Sequence, residues 1–168
     1  MKVLKLMLLF VTFLFSTFML AQEESTKVKV IKNDFVTFLM EEGFKPTLDA
    51  ELGTIDFKRE GQDYWIDVVD RSGDIFQITV HLAGVNTKGY SQAAVLLACN
   101  DVNNNRYNAK AMAESSDGKE YATFAVEMPC YSAIGFKKTF YTIVKCLSSA
   151  KTLFKEKLAE YQARIDKD

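Results

Sequence analysis

The chain is short of several residue types, and each scarcity removes a class of explanation. It has one histidine, one tryptophan, two prolines and three cysteines in 168 residues. A single His81 cannot build a multi-histidine metal site, so any general-base chemistry would rest on it alone. Cys99, Cys130 and Cys146 fall far apart in sequence, with none of the close pairs that zinc ribbons and dithiol motifs require. No glycine-rich phosphate loop occurs. Positive charge is not in excess either: 21 basic residues face 22 acidic ones, and the count falls to 19 basic without Lys2 and Lys5, leaving a net charge of −3. That balance, with no Lys/Arg cluster, excludes a nucleic-acid footprint. No internal repeat or low-complexity segment appears.

A long apolar run is present once, at the start. MKVLKLMLLFVTFLFSTFMLAQ opens with basic residues, continues apolar to Ala21 and turns polar at Gln22, Glu23, Glu24 and Ser25. This is the layout of a secretory signal peptide over 1-21, with Ala21 the small residue before cleavage and 22-27 a polar spacer. Met19 stands where a second small residue is preferred, so an uncleaved N-terminal anchor is the other reading. No cysteine follows the run, which argues against a lipid-modified N-terminus. The expected location is therefore periplasmic or secreted, with no integral membrane segment after cleavage. Export would expose the odd cysteine count to an oxidising compartment. A bridge between Cys99 and Cys146 requires their helices to pack with those positions facing; otherwise both read as small buried hydrophobes.

The remaining 28-168 reads as one α+β domain. Its organising stretch is QDYWIDVVDRSGDIFQITVHL from Gln62, two alternating strands around a turn at Arg71, Ser72, Gly73 and Asp74. Tyr64, Ile66, Val68, Phe76, Ile78, Val80 and Leu82 form the purer apolar set and are expected to face a helix-covered core. Trp65, Asp67, Val69, Ile75, Gln77, Thr79 and His81 form the mixed set on the other face. Before this hairpin, Val30, Ile31, Phe35, Phe38 and Leu39 mark a helix over 28–42 stopped by Gly43. Lys45 to Gly53 reads as a polar link and Thr54 to Arg59 as a strand. After it, 83–89 reads as a loop, and 90–103 as a helix with Ser91 as N-cap and Ala93, Leu96, Leu97 and Asn100 on one stripe, capped by an asparagine cluster. A second hairpin is expected over 107–113 and 120–128, with Ser115-Ser116-Asp117-Gly118 as its turn, Phe124 and Val126 in the core, and Ala109 and Ala111 admitting a close helix. Pro129 closes it. A helix from Tyr131 to about Arg164 keeps three-and-four spacing throughout. At about 50 Å it outspans a domain of this size, so its far end must bend near Ser148-Ser149, overhang, return over the domain or meet another subunit. The expectation is an antiparallel five-stranded sheet, in sequence order α-β-β-β-α-β-β-α, with helices on one face and a long C-terminal helix.

DYWIDVVDRSGDIFQITVHL, the helix SQAAVLLACNDVNNNRYNAKAMA and the hairpin SSDGKEYATFAVEMP, taken together, resemble the YbjN-like family. The resemblance covers about Val28 to Tyr161 and implies a type III secretion chaperone-like fold, often dimeric. It implies no enzyme activity and no cofactor, and it supplies no set of functional residues. The leader departs from that role, because secretion chaperones act in the cytoplasm.

For chemistry the residues offer little. Asp101, Asn103 and Asn105 imitate the opening of a calcium loop, but Arg106 stands where its glycine is needed and Met112 where its bidentate glutamate is needed. An enzyme would have to use Cys130 as nucleophile with His81 as base, Cys130 sitting at a strand-to-helix junction where a helix N-terminus lowers thiol pKa. The reading favoured over it is a non-catalytic binding or chaperone-like module. In it, Trp65, Ile75, Met112 and Tyr121 on the mixed sheet face, or the long helix, contact a protein partner or a second copy.

Overall fold

The computed structural model describes residues 25–72, 75–106, 108–116 and 118–167. The leader, the first spacer residues, Tyr107 and the turn residues Gly73, Asp74 and Asp117 lie outside these. Helix α1 runs Thr26–Glu41, its N-cap Ser25 accepting from the Val28 N–H at 3.3 Å. Gly43 ends it in the left-handed region at φ 84°, with Gly43 N–H on Met40 O and Phe44 N–H on Leu39 O. That double bond is what a glycine just past a helix permits. Strands β1 (Thr47–Leu48), β2 (Ile55–Arg59), β3 (Gln62–Ser72) and β4 (Ile75–Asn86) follow, then α2 (Gln92–Asn105), β5 (Ala109–Ser116), β6 (Lys119–Cys130) and α3 (Ala133–Ile165).

The strands form one antiparallel sheet in the order β1-β2-β3-β4-β6-β5. Its inner face carries Ile55, Ile66, Ile78, Val80, Leu82 and Phe124, essentially without exposure, beneath the helices. Phe140 of α3 touches the rings of Phe38, Phe44, Phe57 and Phe136, and further along Phe154 meets Phe124 edge-on at 5.5 Å. Burying each such ring contributes about 2 kcal/mol, which makes this cluster the main source of cohesion.

Several expectations need correction. The sheet has six strands rather than five. Thr47 and Leu48 pair with Asp56 and Ile55, and Asp49 turns the chain by accepting from the Glu51 and Leu52 N–H groups at 2.8 Å. Two exposed residues carry no alternation, which is why this segment reads as a link. Thr26 and Lys27 belong to α1 rather than to the spacer, and Val30 points outward, 55% exposed. Arg71 and Ser72 are strand residues rather than turn, and so are Ser115 and Ser116, which pair with Glu120 and Lys119. β4 continues past Leu82 through a bulge between Leu82 and Val85. Gly84 makes that bulge feasible, because a Cβ there would lie 2.7 Å from Ala122 O. β6 continues through Pro129 to Cys130, beyond the last β5 pair at Ala109 and Val126, where a proline blocks no ladder bond to β5.

On α2 the expected stripe is the wrong one. Ala94, Val95, Ala98, Cys99 and Val102 are buried, while Leu96 and Leu97 are 48% and 43% exposed. The segment AAVLLAC is apolar all round, so two stripes were available. The one with small Ala94 and Ala98 lets α2 lie close to α3. Helix α3 is continuous through Ser148-Ser149, and its far half stays on this domain. Gln162 Oε1 accepts from the Ser91 N–H at 2.8 Å, Tyr161 donates to Asp101 at 2.8 Å, and Lys151 donates to Ala83 O at 3.0 Å. The distal apolar positions are thus covered by this chain's own α2 and β6.

Candidate functional site: the outer sheet face

The outer face carries the mixed set, and α1 reaches it through Lys32, which lines a groove there with Leu52 and Gly53. Register decides which side chains meet there. A bulge between Asp70 and Ser72 aligns Trp65 with His81 and Asp67 with Thr79. Trp65 and His81 stack with ring centroids 4.7 Å apart and planes within 4°. His81 Nε2 lies 2.8 Å from Asp67 Oδ2, so the imidazole is held edge-on by a carboxylate and face-on by an indole. Both neighbours restrict its rotation, and the three side chains form a rigid ridge.

Two grooves adjoin the ridge. On the β2 side a cavity of about 880 Å³ wraps the sheet edge, lined by Trp65, Asp56, Asp63 and Lys58 of the outer face and by Phe44, Phe57 and Tyr64 of the inner. Asp56 there accepts from Thr54 Oγ1 at 2.8 Å, and Lys58 pairs with Asp63 at 2.9 Å. A second groove of about 520 Å³ crosses the sheet beside His81, lined by Asp67 and Val69 of β3, Thr79 and His81 of β4, Ala125 and Glu127 of β6 and Met112 of β5. Small Ala125, opposite His81 in register, forms its floor. Both grooves are broad, with apolar surfaces beside paired polar groups, as in surfaces that take up a chain rather than enclose a small molecule.

The four residues expected on this face all lie on it, but not in one patch. Trp65 is half-buried in the ridge. Met112 is 39% exposed at the second groove. Ile75 is 37% exposed at the sheet end, in a groove of about 430 Å³ with Arg71 and Pro129. Tyr121 sits at the opposite end against Gly84 and lines a separate groove of about 320 Å³ with Asn86 and Glu120. Sequence reading missed His81 and Asp67 as ridge members. Their signal was the hairpin register, which a turn of unknown shape left open.

Cys130 and His81 do not form a dyad. Cys130 pairs with Phe76 on the inner face and is buried, while His81 is on the outer face, so the sheet separates them. Burial pushes the Cys130 thiol up, against the pull of the Ser132 and Phe136 backbone. Burial likewise pushes Cys99 up to about 11. All three cysteines are free thiols. Among the described residues no group of three His, Cys, Asp or Glu side chains could hold a metal ion, and no helix is long and apolar enough to cross a membrane.

Of the asparagines at the end of α2, Asn105 bonds the helix as expected, donating to Asp101 O at 2.8 Å, while Asn103 differs. Asn103 does not cap the helix. Its carboxamide bonds the outer edge of β5, donating to Ala111 O at 3.2 Å and accepting from Ala111 N–H at 2.8 Å, as a neighbouring strand would. One side chain thereby closes part of an edge that could otherwise pair with another chain.

No family model matches the chain, and no curated protein matches it. Among solved structures it is similar to the crystal structure of YbjN, a candidate transcription regulator from E. coli. The TM-score is 0.51 at 12% identity, over 70% of this chain and 85% of that one. Likeness at that identity shows a shared fold.

Proposed function

We propose that this chain is an exported, non-catalytic binding module that holds a polypeptide against the outer face of its sheet. The carrying observation is the Trp65–His81–Asp67 ridge beside two open grooves. Trp offers large contact area at little entropic cost, and the ridge holds it in place before any partner arrives. The long helix is the weaker choice of surface, because its apolar stripe from Phe136 to Leu158 is buried within the domain. Export rests on the leader. The regulator description belongs to the E. coli protein. An acidic balance and an export signal do not favour carrying it to this chain.

The test is site-specific photo-crosslinking in the native envelope. A photoreactive residue at Met112 is expected to trap a discrete polypeptide, whereas one at Lys145, exposed on α3, is not. An adduct of twice the chain mass would identify a second copy as the occupant. Equal or absent trapping from the two positions would sink the reading.

A further inference from the structure

Strand β5 ends the sheet, with β6 on one side of it and solvent on the other. Asn103 shows how that free edge is laid out. Its carboxamide takes both the N–H and the C=O of Ala111 from outside the sheet, so the backbone of Ala111 points away from β6. By the period of the strand, the backbone groups of Ala109, Ala113 and Ser115 point the same way, while those of Lys110, Met112 and Glu114 face β6. Ala113 and Ser115 are exposed, so the edge past Asn103 stands open.

The open edge is complementary to itself. Lys110, Met112 and Glu114 follow one another along the outer face of β5. A second β5 laid antiparallel across a two-fold axis at Met112 sets Ala111 opposite Ala113 and Ala109 opposite Ser115 in hydrogen-bonded pairs, and each Lys110 opposite Glu114 of the other copy. The charged pairs then occupy the non-hydrogen-bonded positions, where side chains stand closest. Register matters. An axis at 110 or 114 sets like charges face to face, and one at 111 or 113 loses both ion pairs. Within one copy the charges are uncancelled: Glu114 accepts from the Thr123 hydroxyl, and neither Lys110 nor Glu114 forms an ion pair among the described residues. On the inner face Ala109, Ala111 and Ala113 present only methyl groups, which leaves room for a strand beneath the end of α2. Leu96 lies two turns before Asn103 on the same side of α2, is 48% exposed and overlooks this edge.

We propose that the β5 edge pairs with the β5 edge of a second copy about Met112, and that Asn103 is the latch that keeps this edge shut in the dilute chain. Each Asn103 must release Ala111 before the strands can meet. Pairing therefore gives up the bonds of two carboxamides and gains a strand ladder, two ion pairs and cover for Leu96. The exchange is reversible and set by concentration. The proposal stands apart from the sheet-face reading: a self-adduct at Met112 that survives Trp65→Ala belongs to this edge, and one that Trp65→Ala abolishes belongs to the ridge.

The experiment is sedimentation velocity over a concentration series, on chain purified as its cells make it. Asn103→Ala is expected to tighten the dimer by about tenfold or more over the native chain. In that background Lys110→Glu alone or Glu114→Lys alone is expected to return the chain to monomer, and the two together to restore the dimer. An equal mixture of the two single charge variants is expected to form heterodimers, read by native mass spectrometry. Should Asn103→Ala misfold, the same charge variants are compared in the native chain at raised concentration. Three results overturn the proposal: Asn103→Ala sedimenting as the native chain does, a dimer that persists in either single charge variant, or an equal mixture of the two that stays monomeric.

Discussion

Along β4 the inner residues Phe76, Ile78, Val80 and Leu82 are buried to within a few per cent, while one step away Ile75, Gln77, Thr79 and His81 are exposed or half-buried. The two faces are built from the same strands but held by different forces. The inner face is held by volume: rings and branched chains fill the space under α1, α2 and α3, and each is restrained by many neighbours. The outer face is held by pairs: Trp65 on His81, His81 on Asp67, Thr123 Oγ1 donating to Glu114 at 2.6 Å. Pairwise contacts order a surface without covering it, so one face can secure the fold while the other stays available.

Substitutions should separate the two. The largest effect is expected at Phe140→Ala, which removes a ring touching five others and should lower unfolding free energy in urea by about 3–5 kcal/mol; a loss below about 1 kcal/mol would erase the contrast. Asn103→Ala comes next, at about 1–3 kcal/mol, because it leaves the buried Ala111 backbone unpaired, and it should add concentration-dependent aggregation through β5. Trp65→Ala should cost only about 1 kcal/mol in thermal or chemical unfolding, since one stacked pair on an uncovered face is lost. The smallest effect concerns pH. Because burial raises the Cys99 thiol from 9.0 to about 11, the unfolded chain ionises first. Its contribution is therefore full below pH 9.0 and lost as pH rises towards 11. The stability gap between the native chain and Cys99→Ala should narrow over that window and nowhere below it.

How much of this was legible follows the same division. The inner face was, because Ile66, Val68, Ile78 and Val80 alternate and alternation is the sheet's own period. The long helix and its stripe were legible for the same reason. The β1 pairing was not, since two residues have no period, nor was the burial side of α2, where apolar residues surround the axis. The outer ridge depends on register, and the bulge between Asp70 and Ser72 that sets it is a backbone event with no side-chain signature. Asn103 was visible as an asparagine near a helix end, but a strand edge eight residues further on took its amide.

Trapping yield from a photoreactive residue at Met112, compared between the native chain and Trp65→Ala in the same envelope preparation, tests the division of labour most directly. The account predicts that the truncated chain stays folded, with an unchanged circular dichroism spectrum, and loses most of its adduct. A folded Trp65→Ala chain that traps as well as the native one would contradict it.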